Sequence, residues 1–117
     1  MASESAGELD MDVERLGSAA VVRVRGSAGM EEADRFRRQL EELAEQPIAI
    51  IALDLAGLEF ISSAGLGALI SAHKKASPHD GRIRLVNPQP LILRVLEMTR
   101  LTSVFEVFGT LEEALAS

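Results

Sequence analysis

The run "IAIIALDL", residues 48–55, is apolar from end to end apart from Asp54 and follows directly on Pro47. A stretch of this length and character reads as a strand covered on both faces, since a half-exposed strand would alternate polar and apolar positions. It is followed by a helical pattern in which Leu66, Leu69, Ile70 and His73 share one face, with Lys74 and Lys75 at the end where a helix dipole favours cations. After the turn "SPHDG" comes a second short apolar strand, "RIRLV", residues 82–86. Strand, helix and strand in that order imply a parallel pair joined by a right-handed crossover, which places the chain in the α/β class.

The remaining elements extend that frame. "LDMDVERL" sets Leu9, Met11 and Val13 against Asp10, Asp12 and Glu14, a half-buried strand. Gly17-Ser18 turns it into "AAVVRVRG", the second arm of a hairpin, with Gly26 to Gly29 expected as a loop. "MEEADRFRRQLEELAEQ", residues 30–46, is helical: Ala33, Phe36, Leu40, Leu43 and Ala44 form one stripe, while Glu31–Arg35 and Asp34–Arg38 are spaced as solvent-facing ion pairs. "QPLILRVLEMTR" gives a further helix with Pro90 in its first turn, "VFEVF" a last strand, and Thr110 with Glu113 a capping box for "LEEALA". The order β-β-α-β-α-β-α-β-α predicts a single α/β domain over residues 9–117, with residues 1–8 as a flexible N-terminus.

Composition excludes several functions. A net charge of −6 without any Lys/Arg run, and 3% aromatic residues without Trp or Tyr, argue against direct nucleic-acid binding. The chain has no cysteine, so disulfides, thiolate catalysis and thiolate metal sites are ruled out. No carboxylate constellation accompanies His73 or His79, so both are read as structural, with no metal and no cofactor expected. The acidic start "MASESAGELDMD" is not a signal peptide, and no apolar run is long enough to span a membrane, so a cytoplasmic location is expected. A Ser63–His73–Asp54 triad fails on geometry: ten helical residues separate the serine from the histidine, about 15 Å at the helical rise. The glycine-rich stretches lack the Lys-Ser/Thr ending of a phosphate-binding loop.

What remains is "LEFISSAGLGALI", residues 58–70, with two hydroxyls in the middle of an apolar segment. Ser62 and Ser63 lie between the carboxyl end of the central strand and the start of the crossover helix, the edge where α/β sheets dock ligands and partners. One reading is an N-cap, worth about 1 kcal/mol. The other is a hydroxyl exposed for modification at the positive end of the helix dipole. Gly65 and Gly67 each cost a helix about 1 kcal/mol relative to Ala. They and Ala64 imply close approach by another element or a partner.

The segments "LDLAGLEFISSAGLGALISAHKKA" and "GRIRLVNPQPLILRVLEMTRLTSVFEVFGTLEEAL" resemble the STAS domain of bacterial anti-sigma factor antagonists, over roughly residues 9–116. The resemblance implies a mixed sheet of about five strands packed by about four helices. It implies a non-enzymatic module that binds an anti-sigma factor serine kinase and frees the sigma factor. Phosphorylation by that kinase would switch binding off, and a serine phosphatase would reverse it. The phosphoacceptor maps to Ser63, with Ser62 as the second candidate, and the partner surface to Ser62, Ser63, Ala64, Gly65, Leu66 and Gly67. The chain departs from the family pattern in carrying Ser62 where Asp is frequent. It also has "GSAG" at 26–29 where many members have Gly-Glu-Leu-Asp. The missing acidic groups keep open an alternative: a STAS scaffold that is not phosphorylated, or a cytoplasmic subunit of a lipid-transport complex.

Overall fold

The computed structural model describes residues 8–116; apart from Glu8, the N-terminal segment expected at 1–8 lies outside the described residues. Five strands, β1 (Leu9–Leu16), β2 (Ala19–Ala28), β3 (Ile50–Ile61), β4 (Arg82–Val86) and β5 (Glu106–Phe108), form one sheet in sequence order. β1 pairs antiparallel with β2, and β2, β3, β4 and β5 run parallel. Four helices join or follow the parallel strands: α1 (Ala33–Ala44), α2 (Ser63–Ala76), α3 (Pro90–Met98) and α4 (Leu111–Leu115). This is the expected mixed sheet of five strands and four helices.

The apolar run fills the centre of the sheet. Ile51, Leu53 and Leu55 share a core with the α1 stripe of Phe36, Leu40 and Leu43, with Leu69 of α2, and with Ile92 and Leu96 of α3. Ala52 points to the other face, where Ala114 of α4 covers it beside Val86. Burial is not uniform along the predicted run: the strand begins at Ile50 rather than Ile48, Ala49 is exposed, and Ile50 and Asp54 are half-buried.

Boundaries moved in physically instructive ways. β2 continues through Ala28, so the loop expected at 26–29 is mostly strand. Gly26 sits at φ +96, and a Cβ there would lie 2.2 Å from the Glu8 carbonyl oxygen, so only glycine lets β1 approach at this point. β3 runs six residues beyond the predicted end at Leu55. It carries two register shifts against β2. At the first, Asp54 Oδ1 accepts the Ala56 N–H at 3.0 Å, so this carboxylate steadies a bulge within the strand rather than ending it. The bulges interrupt alternation, so the strand beyond Leu55 carries no periodic signal in the sequence.

α1 starts at Ala33 rather than Met30, and the expected Glu31–Arg35 pair does not form; Arg35 instead donates to the Leu9 carbonyl. The Asp34–Arg38 pair is present at 3.4 Å. The last strand is confined to 106–108, because Val104 and Phe105 complete a short 3-10 turn. Thr110 caps α4 as expected, its hydroxyl accepting the Glu113 N–H at 3.2 Å.

Candidate functional site

The two serines separate at the junction of β3 and α2. Ser62 is extended, 8% exposed, and is the N-cap: its Oγ accepts the Gly65 N–H at 3.1 Å and its carbonyl accepts the Leu66 N–H at 2.9 Å. Its own N–H donates to the Ala28 carbonyl at 2.9 Å, tying the junction to the end of β2. Ser63 is the first helical residue and is exposed. A side chain there stands outside the ring of capping bonds, beside unpaired N–H groups and the positive end of the helix dipole. No acidic residue occupies the first turn of α2, while His73, Lys74 and Lys75 occupy the last, so the charge distribution leaves the N-terminal end receptive to an anion.

The glycines separate in the same way. Gly65 is buried, and a Cβ on it would lie 2.8 Å from Ile61 Cγ1 and 3.1 Å from the Ala28 carbonyl oxygen. The elements that approach it closely are therefore the ends of β3 and β2 of the same chain. Gly67 is exposed with nothing within 4 Å of an added Cβ, so its small size leaves open surface. Of the six residues expected to contact a partner, Ser63 and Gly67 are exposed and Ala64 and Leu66 half-buried, whereas Ser62 and Gly65 face inward.

Two neighbours carry apolar surface that the sequence patterns did not single out. Phe60, three residues before Ser63, is 51% exposed, and Met30, two residues past Ala28, is 69% exposed. A bulged strand and a turn place them at this sheet edge, and neither signal has a period to detect. Glu31 is also exposed in the turn after β2, so an acidic group stands just beyond the "GSAG" segment that lacks one.

Asp54 sits at the bulge inside β3, and the two histidines make structural contacts. The His73 ring meets Phe105 edge-on with centroids 5.7 Å apart, and His79 Nε2 lies 2.6 Å from the Ala44 carbonyl oxygen, pinning the turn after α2 to the end of α1. Among the described residues, no group of three or more His, Asp or Glu side chains is placed to hold a metal ion, and no helix is long and apolar enough to cross a membrane.

The STAS domain family model matches residues 10–114. The chain belongs to the STAS domain family. It is 25% identical over 108 residues to an anti-sigma F factor antagonist of Paenibacillus polymyxa, covering 92% of each chain. An anti-sigma factor antagonist from Mycobacterium paratuberculosis has the same fold, with a TM-score of 0.85, 25% identity and 94% and 93% of the two chains aligned. The phosphorylated form of the Bacillus cell-fate determinant SpoIIAA superposes with a TM-score of 0.71 at 22% identity, over 92% of this STAS domain and 97% of that chain.

Proposed function

We propose that this STAS domain is an anti-sigma factor antagonist whose binding is switched off by phosphorylation of Ser63. It would bind an anti-sigma factor that is also a serine kinase, through the surface around Ser63, Ala64, Leu66 and Gly67, and so free the sigma factor in the cytoplasm. A serine phosphatase would restore the binding form. The domain acts here as binding module and phosphoacceptor, with no catalysis of its own.

The observation that carries this reading is the division of labour between the serines. Ser62 is buried with its oxygen engaged in the cap, whereas Ser63 is exposed and free of that duty. A kinase needs an accessible hydroxyl, and a modification that left the cap intact would leave the fold intact. Relatives covering nearly the whole chain are named as anti-sigma factor antagonists, and SpoIIAA, of the same fold, occurs in phosphorylated and unphosphorylated forms.

The physics of the switch follows from where the charge would lie. Phosphoserine carries about −1.5 to −2 charges at neutral pH. In the free domain it would meet the N–H groups of α2 and the favourable end of its dipole. Under a docked partner it would be an unpaired buried charge, costing about 2–5 kcal/mol, or roughly 30- to 5,000-fold in affinity. Pull-down of the tagged chain with mass spectrometry tests the assignment, reading partner identity and phosphosite together. A serine kinase of the anti-sigma type and phosphate on Ser63 are expected. A transporter subunit as partner, with both serines unmodified, would replace this reading with the scaffold one.

A further inference from the structure

At the opposite edge of the sheet, a cleft of about 330 Å³ opens beside the end of α2 and the first residues of β4 and β5, lined by His73, Ser77, Asp80, Arg82, Val104 and Glu106. A second cleft of about 400 Å³ adjoins it and shares Asp80 and Arg82. The first volume is at the small end of the range for ligand sites. The charges in it are arranged unusually. Arg84, which lines the second cleft, donates to Glu106 Oε1 at 3.1 Å and to the Ala114 carbonyl at 2.7 Å. Arg82 and Asp80, by contrast, make no ion pair with each other or with any other residue among the described residues.

Both groups are mounted on fixed backbone. Asp80 occupies the left-handed region at φ 62, held by its N–H to the Ser77 carbonyl at 3.1 Å, and the next N–H bonds the Ala76 carbonyl at 3.0 Å. Arg82 begins β4, its N–H bonded to the Ala49 carbonyl at 2.9 Å. Arg82 is carried on a strand, the kind of element that makes the more defined recognition contacts, and Asp80 on the turn before it. Two opposite charges that form no ion pair line one cleft together with Ile83 and Val104, and they match a small molecule that carries an anion, a cation and an apolar body together.

We propose that this cleft binds an aliphatic α-amino acid. The guanidinium of Arg82 takes the carboxylate, a geometry for which Arg is suited. Ser77 also lines the cleft and offers a further donor. The ammonium is taken by Asp80, and the aliphatic side chain lies on Ile83 and Val104. A simple anion is disfavoured there, because it would meet two carboxylates as well as one guanidinium.

The site does not depend on Ser63, so its test is separate from that of the switch. Calorimetric titration of the full chain with L-leucine and L-valine is expected to show saturable one-to-one binding with a Kd below about 1 mM for at least one of them. N-acetyl-L-leucine, which lacks the cation, and L-leucinamide, which lacks the anion, should each bind at least about tenfold more weakly than leucine. The same loss is expected for Arg82→Gln and Asp80→Asn. Asn tolerates the left-handed backbone and Arg82 is exposed, so circular dichroism should show both variants folded. No saturable heat with either amino acid, undiminished binding by both folded variants, or equally tight binding of N-acetyl-L-leucine would overturn the proposal.

Discussion

The middle of β3 and the first turn of α2 are close in sequence and respond to opposite demands. In β3, Ile51, Ala52, Leu53 and Leu55 are all at most 1% exposed, and these four side chains answer to the interior. In α2, neighbouring residues divide: Ser62 and Gly65 serve the interior, Ser63 and Gly67 the surface. A strand buried on both faces leaves no side chain free for a second purpose. A helix start is different, because its cap and its close packing are met by alternate residues and the positions between them remain available to a partner.

That contrast can be broken most severely in β3. Leu53→Asp would bury an unpaired carboxylate at a position with 0% exposure and should abolish the cooperative thermal transition. Ile50→Asp, at the half-buried end of the same strand, should cost clearly less. A wild-type melt for Leu53→Asp would mean that β3 is not the centre of the sheet.

The glycine pair gives the next largest effect and a change of sign. Gly65→Ala forces a methyl against Ile61 and the Ala28 carbonyl and should destabilise the domain by about 1–3 kcal/mol. Gly67→Ala meets open space and should stabilise it by about 0.5–1 kcal/mol, through the lower entropy cost of Ala in a helix. Denaturant melts measure both. If Gly67 is part of the docking surface, its stabilised variant should nevertheless bind the partner more weakly.

Between the serines the difference is smaller in stability and larger in function. Ser62→Ala removes the cap and should cost about 0.5–2 kcal/mol. Ser63→Ala should stay within about 0.5 kcal/mol of wild type, as surface substitutions do, yet lose all phosphate incorporation by the cognate kinase. Undiminished incorporation would move the phosphoacceptor elsewhere.

Much of this was legible in the residues. The uninterrupted apolar run marked β3, the Phe36–Leu40–Leu43 stripe marked α1, and Thr110 with Glu113 marked the last cap, because each carries a periodic or positional signal. The bulges in β3 and the strand continuation through Gly26 were not legible, since they depend on how β1 and β2 approach a backbone from a distance. At the site, sequence placed a cap and an exposed hydroxyl within one dipeptide. The resemblance already pointed to Ser63 as phosphoacceptor, and the Gly65 N–H to Ser62 Oγ bond assigns the cap to Ser62. Met30 and Phe60 went unnoticed because single exposed apolar residues leave no pattern, and Asp80 with Arg82 because an unpaired charge is defined only by what surrounds it.

The smallest expected effect lies outside both regions, on the packing of α1 against α2. Glu41 accepts a hydrogen bond from the Ser71 hydroxyl, which, helped by Arg37 and Lys75 and opposed by desolvation, holds its carboxyl below the ordinary value of 4.5. A carboxylate with a depressed folded-state pKa stabilises the fold above its unfolded pKa, and that contribution is lost as pH falls through the folded value. Ser71→Ala should therefore be less stable than wild type at pH 7, with the gap narrowing as the pH drops below the ordinary glutamate range; denaturant melts across that range check it. A constant gap would assign the effect of Ser71 to packing.

The central claim, that a charge on Ser63 acts on the interface and not on the fold, is met most directly by calorimetric titration of the unmodified and Ser63-phosphorylated domains against the anti-sigma partner, with thermal melts of both forms. Phosphorylation should weaken binding by at least about tenfold while the melting temperature stays nearly unchanged. Equal affinities would contradict the switch, and a collapsed melting temperature would show that the phosphate acts by unfolding the domain.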